Sequence, residues 1–315
     1  MSVLVAASGE AAVPVDTVHR SDRPLLLAAS LATLGRGRAD PSHRVTADGA
    51  LWRTSLMPSG PVTCRLTQLD ATSVHCRAWG DGAVEFVDAL PDLLGEHSAA
   101  TDFAPEHPVL AEAHRRLPGL RIPRTGRVFE ALVPAILEQK VHGIAARASW
   151  RRLVTAYGSP APGPAPDGMR VPPPAQVWRR IPSWEFHRAG VDPKRSRTIV
   201  TAAVVADRLE QTVAMEPAEA AARLRAVPGV GPWTAAEVAQ RALGDADALS
   251  VGDFHLAAMV GWSLLGRPLD DPGMVAYLEP LRPHRYRAIR LLEVSGQAVK
   301  PKFGPRTAVT DHRDH

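Results

Sequence analysis

The stretch Leu224-Arg-Ala-Val-Pro-Gly-Val-Gly-Pro-Trp-Thr-Ala-Ala-Glu-Val-Ala239, followed by Ser250-Val-Gly-Asp-Phe-His-Leu256, decides how this chain reads. Pro228-Gly229-Val230-Gly231 is a tight turn between two helical patterns, and its glycines allow positive φ and close approach of the backbone. Pro232 stands where a first-turn proline is tolerated, and Trp233 to Leu243 continues as a helix, so a hairpin is expected over 224–243. A helix N-terminus presents unpaired N–H groups and positive partial charge, and a turn without side chains lets an anion reach them. That suits one DNA phosphate, with Gly229, Val230, Gly231 and Thr234 as the contacting positions. Gly-x-Gly alone reads equally well as the glycine cap of an ordinary pair of helices.

Asp253 adds a second signal. It follows Gly252 and the short run Ala248-Leu-Ser-Val251, and it precedes the apolar pattern Phe254, Leu256, Ala257, Val260. By itself it could simply cap the next helix. A phosphate-binding hairpin followed at this distance by a glycine-flanked Asp, however, resembles the helix-hairpin-helix DNA glycosylase superfamily, and in particular its alkylation-repair branch, the 3-methyladenine DNA glycosylase II type. The resemblance implies a mostly α fold, a glycosylase core of two helical subdomains with an N-terminal α+β domain of antiparallel sheet plus helices. The implied partner is double-stranded DNA containing alkylated bases, bound by a monomer.

The chemistry implied by the resemblance is extrusion of a damaged nucleotide and hydrolysis of its N-glycosidic bond, with Asp253 as the catalytic carboxylate; the alternative is a non-catalytic DNA lesion-binding protein that uses the hairpin as a phosphate clamp. Asp253 would stabilise oxocarbenium character at C1′, or deprotonate water; sequence leaves both open. Bifunctional relatives carry a Schiff-base Lys in the second hairpin helix, and the corresponding residue here is Trp233, which implies a monofunctional enzyme. Trp233 reads either as core or as the aromatic face that stacks on a cationic base. Glu237 stands where some relatives place another aromatic, and Tyr286, Trp262 and Gln139 are further candidates for the base pocket, with ordinary packing or a helix-end hydrogen bond as the alternative. Val128-Phe-Glu-Ala-Leu-Val-Pro-Ala-Ile-Leu-Glu-Gln-Lys-Val-His142 resembles the family's early helix and wedge-bearing turn, with Glu138 where Gly is common and Pro134 expected to kink the helix. His142 is the wedge candidate, with Lys140 or Val141 as alternatives. Lys194, Arg195 and Arg197, in Gly190-Val-Asp-Pro-Lys-Arg-Ser-Arg197, read as phosphate contacts or as solvated charge. The resemblance also admits Na⁺ or K⁺ at the hairpin backbone when DNA is bound, and no catalytic metal.

Composition sets bounds on this reading. The chain has 315 residues, 45% of them hydrophobic, and a formal charge of only +4, so basic character must be gathered on one face to serve a nucleic acid. Lys occurs only at 140, 194, 300 and 302, and Cys64 and Cys76 are the only cysteines. Two thiols are too few for the iron–sulfur cluster that some relatives carry, and free buried thiols in a reducing compartment are expected. There is no Asn, hence no N-glycosylation. Met1 to Val15 lacks the features of a signal peptide, no segment has membrane-spanning length, and a cytoplasmic, nucleoid-associated location in a bacterium is expected.

Along the chain, residues 1–104 read as α+β. A helix is expected over Leu25–Leu34, strands at Leu51–Leu56, Pro61–Thr67 and Thr72–Trp79, and a covering helix over Ala83–Leu94. Residues 105–296 read as helical, interrupted by the Pro/Gly-rich stretch 159–175, expected as an extended surface connection outside any core. The tail 297–315 reads as disordered, and its histidines lack a metal-ligand framework.

Overall fold

A computed structural model describes residues 13–98 and 102–299 of the protein. The expected disordered tail falls outside those residues from position 300 onward. Five antiparallel strands form the N-terminal sheet: β1 (Val15–Arg20), β2 (His43–Val45), β3 (Leu51–Met57), β4 (Gly60–Gln68) and β5 (Ser73–Trp79), in the order β1-β5-β4-β3-β2. The three expected strands are present, and β1 and β2 join at the two edges. Alternation along β4 and β5 turns Val62, Cys64, Leu66, Val74, Cys76 and Ala78 to one face, all fully buried. Leu25, Leu27 and Leu31 and the short helices Ala83–Asp88 and Leu90–Leu93 cover that face. Both cysteines are free there, and burial pushes their thiols up, Cys76 to about 12, which leaves them unreactive packing groups.

The opposite face corrects one expectation. It carries Trp52 and Trp79, stacked with ring centroids 5.7 Å apart, and an antiparallel sheet with two large apolar faces needs cover on both. The Pro/Gly-rich stretch provides it. Ser159–Pro160 pairs with Arg170–Val171, Met169 packs onto the two tryptophans, and the Arg170 carbonyl accepts from Thr54 Oγ1 at 2.6 Å. A Cβ on Gly163 would stand 2.4 Å from the Trp79 ring, so the lack of side chains is what lets the segment lie flat.

Two helical cores complete the fold. The first is built by the helices Val128–Leu137, Gly143–Tyr157, Pro193–Val204, Ala206–Glu210, Pro217–Arg225 and Pro232–Val238, with Trp150, Trp178 and Phe186 stacked inside. Val128–Leu137 is buried at every position but Glu130, in keeping with an apolar run that only Glu130 interrupts, and it continues through Pro134 as one element. The second core joins the helix Pro108–Arg116 to Leu256–Leu265, Asp271–Leu278 and Arg285–Ser295. The segment that links the cores, from Gly244 to His255, carries Asp253.

Candidate functional site

The hairpin consists of the helices Pro217–Arg225 and Pro232–Val238 with the turn 226–231 between them. Its two glycines have different tasks. Gly229 has φ +92, and a Cβ there would stand 2.2 Å from the hydroxyl of buried Thr198, so both conformation and packing require glycine. Gly231 is extended, with φ −96 and ψ −177, and nothing lies within 4 Å of a Cβ placed on it. No backbone strain therefore attends a side chain at Gly231, and its openness faces outward from the first turn of the second helix. Val230 packs its side chain into the first helical core, so only its backbone is available to a ligand. The second helix gives way after Val238 to a π turn, Ala239–Leu243, closed by Gly244 in the left-handed region at φ +70.

Two polar side chains hold the turn from behind. Gln139 Nε2 donates to the Gly229 carbonyl and to Thr234 Oγ1, both at 2.9 Å. Thr234 is buried, so its hydroxyl braces the hairpin instead of meeting DNA. Gln139, expected in the base pocket, spends its amide protons on the same brace. It thereby fixes the turn 138–142 beside the hairpin. The expected helix over Val128–His142 ends at Leu137, and His142 lies at the N-terminal cap of the following helix, Gly143–Tyr157. Lys140 has φ +53, the one positive φ outside glycine among the described residues, which pushes this turn outward. Lys140, His142 and Ile144 are exposed on it, Ile144 to 69%, an apolar side chain that sequence reasoning passed over.

Arg195 is corrected by the structure. It is buried, and its guanidinium donates to the Leu137 carbonyl at 2.6 Å, the Gly190 carbonyl at 3.2 Å and Asp192 Oδ2 at 2.5 Å. Its donors are committed to closing the N-terminus of the helix Pro193–Val204 onto the end of Val128–Leu137. Lys194 and Arg197 remain exposed on that helix.

Asp253 is half-buried and uses its two carboxylate oxygens differently. Oδ1 accepts from the backbone N–H groups of His255 and Leu256 at 2.9 and 3.0 Å, the cap that the simpler sequence reading anticipates. Oδ2 accepts from Trp233 Nε1 at 3.1 Å, which joins the carboxylate to the second hairpin helix. Capping and siting thus coexist in one group. Gly252, at φ +91, donates its N–H to Asp271 Oδ2 at 3.0 Å, and the adjoining Phe254 is 75% exposed.

Glu237 lies one turn beyond Trp233 on the same helix, and it does not face an open pocket. Oε1 accepts from Ser250 Oγ at 2.6 Å and Oε2 pairs with Arg241 at 2.8 Å, with both charged side chains 13% exposed. Arg241 also donates to the Thr33 carbonyl in the N-terminal layer. Tyr286 is buried among Arg241, Arg290 and Glu237, where burial pushes its phenol up, and Trp262 is 39% exposed. Two small hollows lie elsewhere, both beside Arg53 and Thr125, one reaching Phe86 and Leu93 and the other Glu130 and Pro134; neither is lined by Asp253 or Trp233. Sequence reasoning missed Thr198, Arg241 and Ser250. The i,i+4 spacing of Glu237 and Arg241 was the available signal for the second.

The chain combines a hairpin braced against the end of a buried helix, a carboxylate hydrogen-bonded to the second hairpin helix and an antiparallel N-terminal sheet, and its fold is that of solved DNA glycosylases. It superposes on the 3-methyladenine DNA glycosylase from Archaeoglobus fulgidus with a TM-score of 0.73, at 17% identity, over 87% of this chain and 96% of that one. It also superposes on the 8-oxoguanine glycosylase/lyase of Clostridium acetobutylicum, in complex with double-stranded DNA, with a TM-score of 0.69, at 13% identity, over 89% and 97% of the two chains. In sequence it is 31% identical over 271 residues, 81% of its length, to proteins of two Mycobacterium tuberculosis strains described as probable bifunctional transcriptional activator/DNA repair enzyme AlkA. The chain spans about half, 52%, of the length of those curated relatives. No known protein-family model matches it. Among the described residues no helix is long and apolar enough to cross a membrane, and no group of three or more His, Cys, Asp and Glu is placed to hold a metal ion.

Proposed function

We propose that the chain is a monofunctional DNA glycosylase that extrudes alkylated purines from double-stranded DNA and hydrolyses their N-glycosidic bond. The observation that carries this reading is the Trp233–Asp253 hydrogen bond, which fixes a carboxylate oxygen beside the hairpin that would grip the DNA backbone. The turn of Gly229 to Gly231 and the first N–H groups of the second helix receive a phosphate. The exposed turn from Lys140 to Ile144, pinned next to the hairpin by Gln139, fills the gap left by the extruded nucleotide.

An alkylated purine is cationic, so its bond to C1′ is already weak, and the base leaves with the bonding electron pair. Asp253 then offsets the positive charge that develops on the sugar. Water adds at C1′ and its proton passes to the carboxylate or to solvent. Oδ1 accepts from two backbone N–H groups and Oδ2 from Trp233 Nε1 alone, so Oδ2 keeps the lone pair that would turn to the sugar. Position 233 of the second hairpin helix is Trp, and among the described residues only Lys140 and Lys194 occur, which supports water as the nucleophile.

Replacing Asp253 with Asn tests the reading. Asn keeps an oxygen for the cap at His255 and Leu256, so folding and DNA binding should persist, while its amide would meet the Trp233 N–H donor to donor. Single-turnover base release from alkylated DNA should fall roughly a thousandfold or more, since charge stabilisation at the transition state is lost. Excision at the wild-type rate would end the assignment.

A further inference from the structure

We infer that the N-terminal α+β layer sets the position of the reactive carboxylate through a buried relay, Thr33–Arg241–Glu237–Ser250, in which Glu237 and Ser250 are positioning residues for Asp253. The inference rests on the reading of Asp253 as the catalytic group. Each link is a hydrogen bond or ion pair. The Thr33 carbonyl, in the N-terminal layer, accepts from Arg241 Nε at 3.0 Å. Arg241 Nη1 reaches the Glu237 carboxylate at 2.8 Å and the Glu237 carbonyl at 2.9 Å. Glu237 Oε1 takes the Ser250 hydroxyl proton at 2.6 Å, and Ser250 Oγ in turn accepts from Gln240 Nε2 at 3.0 Å. Ser250 and Gln240 are both buried. The Ser250 carbonyl then accepts the Asp253 N–H at 3.2 Å, which closes the turn that presents the carboxylate.

The need for such a relay follows from the backbone between its last two members. Gly252 sits at φ +91 with nothing within 4 Å of a Cβ, so this turn has little packing of its own to fix it. Its geometry is set by bonds at its ends: Ser250 on one side, Trp233 on the Asp253 side chain, and Asp271 on the Gly252 N–H. A carboxylate displaced by about 1 Å from its working position can cost on the order of a hundredfold in rate. Glu237 is therefore assigned to holding the turn, and contact with the extruded base is left to Trp233 and its neighbours.

Ser250→Ala removes one hydroxyl and leaves Gln240 its second acceptor, the Ala248 carbonyl at 2.9 Å. Single-turnover excision at saturating enzyme should fall roughly 10- to 100-fold, while affinity for an alkylated duplex stays within about twofold, because the hairpin is untouched. Ser250→Thr, which keeps the hydroxyl, should recover most of the rate. Glu237→Gln should also slow excision, and the double variant should be no slower than the slower single one, as expected for one pathway. Wild-type excision by Ser250→Ala, additive losses in the double variant, or a parallel loss of binding and rate would each overturn the relay. Should Ser250→Ala fail to fold, Glu237→Gln decides by the same split between binding and chemistry. Asp253→Asn run alongside separates the two levels: an inactive Asp253→Asn with a normal Ser250→Ala sinks only the relay, and a normal Asp253→Asn sinks the reading beneath it.

Discussion

Substituting the two hairpin glycines should separate folding from DNA binding. At Gly229 any side chain must adopt φ near +92, which costs about 1–2 kcal/mol for an L-residue. Its Cβ would also stand 2.2 Å from Thr198 Oγ1 and 3.1 Å from Thr198 Cγ2. Thr198 cannot yield freely, because it is buried and its hydroxyl donates to the Lys194 carbonyl at 3.0 Å; overpacking of this kind costs about 1–3 kcal/mol more. Gly229→Ala should therefore destabilise the protein by a few kcal/mol, enough to lower Tm by roughly 5 °C or more in a chain of this size. Gly231 is extended and open, so Gly231→Val should melt within about 2 °C of wild type. It should nevertheless bind both alkylated and undamaged duplexes at least tenfold more weakly, about 1.4 kcal/mol or more, because the new side chain stands where a phosphate must approach. Thermal melts and fluorescence anisotropy at two salt concentrations measure both. Wild-type affinity in a folded Gly231→Val would reduce the hairpin to a structural turn, and a Gly229→Ala that melts like wild type would refute the packing argument.

Three further outcomes are expected. Trp233→Phe keeps an aromatic face but loses the N–H that holds Asp253 Oδ2, and single-turnover excision should drop on the order of tenfold, as for a hydrogen bond to a charged group, with Tm little changed; an unchanged rate would show that the bond does not orient the carboxylate. Borohydride added during turnover should trap no covalent protein–DNA adduct, and strand breakage should need heat or alkali; efficient trapping would reveal an amine nucleophile. Burial, with Arg53 nearby, pushes His43 down to about 4, so it is neutral in the fold while an unfolded chain protonates near 6.5. Its contribution is complete above pH 6.5 and is lost as pH falls toward 4, up to about 3 kcal/mol; His43→Gln should flatten the stability curve in that window, and an unchanged slope there would show that other groups govern it.

The parts of the fold that were legible in the sequence rest on local rules. β3, β4 and β5 are strand-like runs set off by Pro/Gly and Asp-containing turns, and the hairpin declares itself through glycine and proline spacing. β1 and β2 were missed because an edge strand needs only one partner, and their polar alternation, Val-Asp-Thr-Val-His-Arg in β1, carries little apolar signal. The stretch 159–175 was misjudged for a different reason. Proline and glycine content describes what a backbone can do, whereas its burial is decided by Trp52 and Trp79, more than eighty residues earlier in the chain. Asp253 was legible as a position, and its partner Trp233 as a residue of the same site, although the bond between them was not.

The side chains whose surroundings sequence left open share one property: each has a hydrogen-bond partner on another element. Arg195 looks like a surface cation until the carbonyl of Leu137 is placed against it, and Gln139 like a pocket residue until Gly229 and Thr234 are. Glu237 is the instructive case, because the resemblance leads one to expect an aromatic at its place. A lone carboxylate that is only 13% exposed would be costly by several kcal/mol, and it is tolerated here because Arg241 stands one helical turn later and Ser250 reaches it from the turn that bears Asp253. Arg241 is itself only 13% exposed, and it finds a further acceptor in the Thr33 carbonyl. The departure at Glu237 is thus a set of compensating residues spread over three segments, Thr33 in the N-terminal layer, Glu237 and Arg241 on the hairpin side, and Ser250 before the turn that bears Asp253. Replacing Glu237 alone with an aromatic would take from Arg241 the carboxylate it is hydrogen-bonded to, so an aromatic at that position should be better tolerated together with a neutral residue at 241.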